Sequence, residues 1–276
     1  MIKAVKFVAL VGCLLSGSIA SAQSIFPDKN LENVVRKYVF EKRGNDQPIV
    51  EADVANIAIL EGAGKQITNL AGLEKCKSLA LINLSGNEIV DISVLKDIKR
   101  LQSLDLAKNK IVDIAPLAEL TGLQYLVLSD NQIAEVSHLA KLTNLRSLYL
   151  SNNQIKDGAV LANLVKLWSL YLDGNQMPDL KPLAALKSLE SLDLRGNGIS
   201  DLSPLAGMTQ LRFLMLDKNQ ITDLGVLVEM AKKDVAGENR FAPFCRIFLK
   251  ENPLSDAAKG PQLEELKKLV KEVVVQ

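Results

Sequence analysis

The stretch LQSLDLAKNKI, residues 101–111, contains the pattern that decides the fold, because it recurs along most of the chain. Its asparagine belongs to a series of seven, and each member follows the previous one after 22 residues. The series consists of Asn87, Asn109, Asn131, Asn153, Asn175, Asn197 and Asn219. Aliphatic residues stand at fixed positions before and after each asparagine, so the spacing predicts a solenoid of stacked structural repeats.

Each position of the repeat has a physical role. Alternating aliphatic residues such as Leu104 and Leu106 predict a short β-strand with one face turned inward, and stacked copies pair such strands into a parallel sheet. The asparagine is expected to turn the chain and to bond neighbouring backbone through a buried amide. Later aliphatic residues, such as Ile111 and Ile114, fill the core from the other side. We therefore predict an α/β fold, a leucine-rich repeat solenoid shaped as a curved right-handed horseshoe with its parallel β-sheet on the concave face.

The less regular parts of the chain give the domain organisation. Imperfect copies at both ends extend the solenoid over residues 54–255, with an insertion at 231–243. Asp28 is suited to cap an amphipathic helix, which predicts an N-terminal helical cap over residues 23–53. A second amphipathic pattern, entered through Pro261, predicts a C-terminal helical cap over residues 256–276. The stack needs closed ends, because no repeat can bury its leucines alone.

The repeat resembles that of the internalin-like bacterial leucine-rich repeat proteins. The motif Asn-x-Ile-x-Asp-Ile-x-Pro-Leu occupies residues 109–117 and recurs at 197–205 with Leu for the second Ile. Residues 25–31, with Ile-Phe-Pro-Asp-x-Asn-Leu, are similar to the helical cap of that family. The resemblance implies protein recognition on the concave sheet. It does not imply a role in host invasion, since no immunoglobulin-like stretch or cell-wall sorting tail is recognisable after the repeats.

Residues 1–22 predict a secretory signal peptide. Lys3 and Lys6 precede an apolar stretch at residues 7–15, and Ala20-Ser21-Ala22 provides the small residues of a cleavage site, with Gln23 as the mature start. We expect an exported protein, periplasmic or secreted, without a transmembrane segment, since the apolar stretch is far shorter than the ~20 residues of a membrane span. The alternative is a lipoprotein anchored at Cys13, because residues 10–13 resemble a lipobox.

Composition argues against several functional classes. The formal net charge of +1 becomes −1 after removal of residues 1–22, which contain two lysines and no acidic residue, so we expect no nucleic-acid partner. With a single histidine, His138, and no nucleophile or phosphate motif, we expect neither an enzyme nor a cofactor nor a metal site. Cys76 and Cys245 are predicted to lie about 40 Å apart, too far for a disulfide.

An acidic residue follows each asparagine of the series at a constant distance. Such a ladder is compatible with calcium binding, but a single carboxylate per repeat lacks the dense spacing of a calcium loop. We instead predict that these acids cap the backbone N–H groups of the next helical turn. The ladder comprises Asp91, Asp113, Glu135, Asp157, Asp179, Asp201 and Asp223.

The aromatic residues of the regular repeats avoid the leucine positions. Only 4% of the chain is aromatic, and over residues 65–230 the aromatic residues fall at outward strand positions or, for Trp168, at the entrance of a strand. Cross-strand pairing explains one or two such residues, but exposed apolar surface with Tyr and Trp anchors is typical of an interaction site. The predicted ligand-binding residues are Tyr125, Val127, Tyr149, Trp168, Tyr171, Asp193, Arg195, Phe213, Met215 and Phe248, with Asp105 and Arg246 beside them.

Two functions are compatible with this surface. The first is capture of a protein or peptide on the concave face, with Tyr149, Trp168 and Tyr171 as anchors. The alternative is binding of a carbohydrate or cell-wall glycan, since aromatic rings also stack on sugars, although Ser147 and Ser169 offer few polar partners. We expect the protein to act as a monomer.

Overall fold

The structure of the protein is a computed structural model that describes residues 23–275. Ten short parallel strands form one sheet in which each strand pairs with the next along the chain. The strands are β1 Ile59–Glu61, β2 Leu81–Asn83, β3 Ser103–Asp105, β4 Tyr125–Val127, β5 Ser147–Tyr149, β6 Ser169–Tyr171, β7 Ser191–Asp193, β8 Phe213–Met215, β9 Arg246–Phe248 and β10 Glu272–Val274. This order confirms the leucine-rich repeat solenoid.

Aliphatic residues fill the core between the sheet and the returning chain. The central residue of each strand from β2 to β9 is a buried Leu or Ile, and the register pairs Leu104 with Leu126 and Leu126 with Leu148. The return segments are mostly short 3-10 turns at Leu73–Lys75, Ser93–Asp97, Ala115–Leu117, Ser137–Leu139, Ala159–Asn163, Lys181–Ala185 and Ser203–Leu205. The described aromatic residues that are fully buried, Phe26 and Phe241, lie outside the regular repeats, as the sequence pattern predicts.

The asparagine series has the predicted structural role. The amide of Asn131 donates to the carbonyl oxygens of Leu128 in its own repeat and Leu106 in the preceding repeat, both at 3.0 Å. Its Oδ1 accepts from the backbone N–H of Ile111, also at 3.0 Å. Equivalent bonds from the other members tie each repeat to the one before it.

The acidic ladder caps the return segments, as predicted. Each carboxylate accepts a hydrogen bond from the backbone N–H of the residue two positions later, which is the first residue of a 3-10 turn or helix. Asp113, for example, accepts from Ala115 at 2.8 Å. This bond satisfies an N–H group that has no partner within the turn.

The N-terminal segment packs against β1 through helix α1, Lys29–Arg36, followed by a 3-10 turn at Phe40–Lys42 and the short helix α2, Glu51–Val54. Asp28 caps α1, accepting from the N–H groups of Asn30 and Leu31 through one carboxylate oxygen. Its other oxygen accepts from the N–H groups of Thr68 and Asn69. One carboxylate therefore joins the helix to the first repeat.

The C-terminal part departs from the regular repeat. Helix α3, Gly225–Val235, replaces a 3-10 turn. The buried carboxylate of Asp234 accepts hydrogen bonds from the backbone N–H groups of Arg240, Phe241 and Ala242, and these bonds hold the insertion against the end of α3. A kinked helical segment at Ala258–Gln262, with Gly260 in a non-helical conformation, leads into helix α4, Leu263–Leu269. The chain then forms β10 beside β9, a strand that the sequence pattern did not predict within the C-terminal helical segment.

Candidate functional site

The candidate site lies on the face of the sheet opposite the core, which we call the open face. Because strand residues alternate in direction, Leu148 is fully buried while its neighbour Tyr149 stands on the open face. The same alternation sets Tyr171 beside Tyr149 in the parallel register. The repeat thus brings side chains that are 22 residues apart in sequence into adjacent positions.

Three tyrosines form the centre of the open face. The rings of Tyr149 and Tyr171 stack with their centroids 4.7 Å apart and planes inclined by 21°. Tyr125, on the other side of Tyr149, lies 5.5 Å away with its ring tilted by 53°. Burial raises the pKa of the Tyr149 phenol, and the two neighbouring phenols act in the same direction. The three rings form one continuous apolar surface across β4, β5 and β6.

Trp168 extends this surface at the entrance of β6. Its side chain is exposed, and the guanidinium carbon of Arg146 lies 4.9 Å from the ring centroid. Arg146 occupies the equivalent position in the preceding repeat, so the contact is a cation–π pair between neighbouring repeats. We call Tyr125, Tyr149, Tyr171 and Trp168 the tyrosine patch.

A second aromatic group lies on β8 and β9. Phe213 is exposed, and the guanidinium of Arg246 lies 5.8 Å from its ring centroid. Met215 and Phe248 are adjacent in the register and half-buried. This group is separated from the tyrosine patch by β7, where the open face carries Asp193.

Two of the predicted ligand-binding residues are not at the surface, which corrects the sequence-based assignment. Asp193 is fully buried at the third position of β7, between Tyr171 and Met215 in the register, and Arg195 covers it with bonds to both carboxylate oxygens. Burial raises the pKa of the Asp193 carboxyl, although the bonds from Arg195 oppose that shift. Val127 is only 9% exposed. Both residues support the surface rather than forming it.

The polar residues predicted beside the patch have different surroundings. Arg195 remains about half exposed, and its guanidinium is bound to Asp193 and lies 3.9 Å from Asp173, so an ion pair with compensated charge separates the two aromatic groups. Asp105 is half-buried, accepts a hydrogen bond from the backbone of Ala107 and contributes to the raised pKa of Tyr125, for which burial is the main cause.

A group of cations next to the patch was not predicted from the sequence. Lys99, Arg100, Arg146 and Lys166 line one open cavity of about 480 Å³ at the edge where strands β3 to β6 begin. Each residue alone is an ordinary surface cation. Aligning positions across the 22-residue repeat would have placed Arg100 near Asn144 and Arg146 near Trp168.

The remaining chemistry-bearing residues have structural positions. Within residues 23–275, no group of His, Cys, Asp and Glu side chains is arranged to hold a metal ion. Cys76 and Cys245 are buried thiols, and burial raises the pKa of Cys76 to about 12. His138 is half-buried in the 3-10 turn Ser137–Leu139. None of the helices in this part of the chain combines the length and apolar character that a membrane span requires.

Comparison with known proteins bears directly on this architecture. A leucine-rich repeat family model matches residues 99–155, and a model of two leucine-rich repeats matches residues 143–185 and 187–229. Internalin C2 from Listeria monocytogenes is 35% identical in sequence, and the superposition has a TM-score of 0.71 and covers 77% of this chain and 95% of that protein. The chain belongs to the internalin-like leucine-rich repeat proteins.

Other relatives place this internalin-like protein within a wider fold group. Internalin InlF from L. monocytogenes is 26% identical, with a TM-score of 0.53 and coverage of 94% of this chain and 93% of that one. The ectodomain of the Arabidopsis thaliana receptor kinase GASSHO1/SCHENGEN3, solved in complex with CASPARIAN STRIP INTEGRITY FACTOR 2, shares the fold at 22% identity and a TM-score of 0.63 over 81% of this chain and 30% of that one. No curated protein sequence matches this internalin-like chain.

Proposed function

We propose that this internalin-like protein captures a protein or peptide ligand on the open face of its sheet, with the tyrosine patch as the anchor. The observation that carries this proposal is the contiguous row of Tyr125, Tyr149 and Tyr171 on the side of the sheet opposite the buried leucines. Rigid Tyr and Trp side chains are the residues that most often dominate binding energy in protein interfaces. Their position in consecutive strands gives the ligand one continuous apolar contact.

The ring geometry favours a polypeptide over the carbohydrate alternative. A sugar stacks on an aromatic ring whose flat side is accessible. Tyr149, however, has a tyrosine on each side, and Trp168 has the guanidinium of Arg146 over its ring. The ring edges and hydroxyl groups remain for contact, which suits the side chains and backbone carbonyls of a peptide. Ser147 and Ser169, which precede the buried leucines of β5 and β6, are half-buried and offer a sugar few hydroxyl partners.

A peptide-display selection on the immobilised protein tests the proposal. Selected peptides should lose at least roughly 30-fold in affinity, or ~2 kcal/mol, for the variant Tyr149→Ala/Tyr171→Ala. Phe40→Ala is the matched control, because Phe40 is an exposed aromatic residue in the N-terminal segment, outside the sheet. Equal affinity for the wild type and the double variant would refute the site. A glycan array probed with the same proteins would reveal carbohydrate binding as a loss of array signal in the double variant.

We also propose that the protein acts after export. The segment that carries the predicted cleavage site, residues 1–22, and the alternative anchor Cys13 lie outside the described residues, so the proposal rests on the sequence pattern. The intact mass of the exported protein is expected to correspond to a chain that begins at Gln23. A mass that corresponds to a lipid-modified chain beginning at Cys13 would show that the alternative is correct.

A further inference from the structure

The cavity beside the tyrosine patch concentrates positive charge. Lys99, Arg100, Arg146 and Lys166 line it, all four are exposed, and the other lining residues are Gln102, Gly122, Gln124 and Asn144. Four cations and no acid therefore surround one space of about 480 Å³. Arg146 belongs to both features, since its guanidinium also lies over the Trp168 ring.

These four cations line one space without an acid among the lining residues, and none of them has an acidic partner within residues 23–275. Several cations elsewhere on the repeats pair with an acid on the preceding repeat, as in Lys110 with Glu88 at 3.0 Å and Arg212 with Glu190 at 3.5 Å. Among the described residues, none of the four cavity cations forms a salt bridge. The nearby Glu119 is hydrogen-bonded to Lys141, which is the main cause of its lowered pKa, and the charge of Lys99 adds a smaller effect.

Neutral residues complete the lining of the cavity. Asn144 accepts a hydrogen bond from Lys166 Nζ at 2.8 Å and donates to the backbone carbonyl of Thr121 at 2.9 Å, so its amide is fixed on both sides. Consecutive repeats place Arg100, Gly122 and Asn144 at equivalent positions, and the glycine adds no side chain to the middle of the cavity. The neutral Gln102, Gln124 and Asn144 leave the cation charges without internal compensation.

We propose that this basic cavity binds the carboxylates of an acidic polypeptide segment, and that the same segment or its continuation contacts the tyrosine patch. The second part rests on the proposed function, whereas the first does not. Guanidinium and ammonium groups donate charge-assisted hydrogen bonds to carboxylates. The cavity adjoins the patch through Arg146, so a ligand that lies on the tyrosines reaches the cations without a break.

The opposite edge of the sheet argues for a polypeptide rather than a nucleic acid. Asp130, Asp173 and Asp217 follow strands β4, β6 and β8 along the edge where the parallel strands end, and Arg195 and Lys218 lie among them. This edge therefore carries both signs of charge, so the uncompensated positive charge is confined to the cavity, while a nucleic-acid site requires an extended basic surface. A peptide with acidic residues only at one end matches that distribution.

The single tryptophan provides a reporter at the site. Trp168 is the only Trp in the chain and contacts Arg146, so we expect its fluorescence to change when a ligand binds in the cavity. Titration of the wild-type protein with hexaglutamate at low salt is expected to give a saturable change with a Kd below about 1 mM, weakened by salt because the cations are exposed. Hexaglutamine is expected to give no saturable change.

Paired variants locate the effect. The variant Arg100→Gln/Lys166→Gln is expected to weaken hexaglutamate binding by roughly tenfold, as expected for loss of two exposed charge contacts. Lys110→Gln/Lys218→Gln is the matched control, since it also removes two exposed cations, each of which is paired with an acid away from the cavity. The control is expected to retain wild-type affinity, and both variants are expected to keep the wild-type melting temperature.

Each contrary result is informative. Absence of a saturable change with hexaglutamate, or equal affinity in the cavity variant, would overturn the proposal. Tighter binding of hexathymidylate than of hexaglutamate would overturn the assignment to a polypeptide. The variant Tyr149→Ala/Tyr171→Ala is expected to keep hexaglutamate binding, because neither tyrosine lines the cavity, so loss of peptide capture in that variant tests the proposed function separately.

Discussion

The two faces of the sheet differ in how strictly the repeat fixes their residues. Facing the core, strands β3 to β8 present the same fully buried residue at their centre, Leu104, Leu126, Leu148, Leu170, Leu192 and Leu214. On the open face, the next position carries Asp105, Val127, Tyr149, Tyr171, Asp193 and Met215. Each leucine packs against its copies in neighbouring repeats, so the stack requires one shape inside and leaves the outside free to specialise for binding.

Truncation of a core leucine should give the largest loss of stability. Leu148→Ala is expected to lower the free energy of unfolding by about 2–5 kcal/mol, because a cavity replaces packed side-chain atoms. Denaturant unfolding followed by circular dichroism measures the change. Val165→Ala is the control, since this aliphatic residue is exposed, and it should have little effect. A small loss for Leu148→Ala would mean that the two faces are not energetically distinct.

The asparagine bridges should come next. Asn131→Ala is expected to cost about 1–3 kcal/mol, since it leaves the Ile111 N–H and two carbonyl groups without their buried partner. Because solenoid stability is a sum of neighbour terms, hydrogen exchange should rise first in the adjoining repeats. Gln132→Ala, an exposed neighbour, serves as control. Unchanged unfolding of Asn131→Ala would contradict the bridging role.

The cap at Asp28 should have a somewhat smaller, pH-dependent effect. Burial acts to raise the Asp28 pKa, but hydrogen bonds from Thr68, Leu31 and Asn69 outweigh it and lower the pKa. In Asp28→Asn, one of the two oxygens that accept from backbone N–H groups is replaced by an N–H₂ group, which cannot accept. One pair of N–H groups therefore loses its acceptor, and we expect the free energy of unfolding to fall by about 1–2 kcal/mol at neutral pH.

The sign of the pH dependence follows from the lowered pKa. The stabilisation by Asp28 is fully present above the ordinary aspartate pKa of about 4 and is lost as the pH falls through the lower pKa of the folded state. The difference between wild type and Asp28→Asn should therefore shrink in acid, as thermal unfolding at several pH values would show. Asp46→Asn, at an exposed position, is the control, and a constant difference at all pH values would count against this cap.

A charge change away from the open face should have the smallest effect. Lys141 is exposed and pairs with the exposed Glu119. Lys141→Glu is expected to leave both the melting temperature and ligand capture nearly unchanged, because exposed ion pairs contribute little. A clear loss of capture would show that the binding surface extends beyond the open face.

The sequence predicted the inward-facing side far better than the outward-facing one. A residue at a leucine position must be buried, because identical neighbours enclose it, so the period of 22 residues is enough to assign it. An outward residue depends on its particular neighbours. Asp193 is buried because Arg195 covers it, and no period could show that contact. Strand β10 has no asparagine after it, so the repeat pattern did not reveal it.

The basic cavity was missed for the same reason. Its cations come from three separate repeats, those that contain β3, β5 and β6, and each of them alone is an ordinary surface residue. Their significance lies in the absence of acids among the lining residues, which is a property of the assembled surface. Arg146 was similarly overlooked until the structure placed its guanidinium over Trp168.

The most direct test of the division between the two faces uses adjacent residues of β5. For Tyr149→Ala and Leu148→Ala, both the free energy of unfolding and the Kd for a selected peptide would be measured below the unfolding transition. Tyr149→Ala should weaken binding by at least roughly 30-fold with little loss of stability, and Leu148→Ala should lose about 2–5 kcal/mol of stability with unchanged Kd. The account would be contradicted if Tyr149→Ala lost stability in step with binding, because the tyrosines would then be cross-strand packing residues.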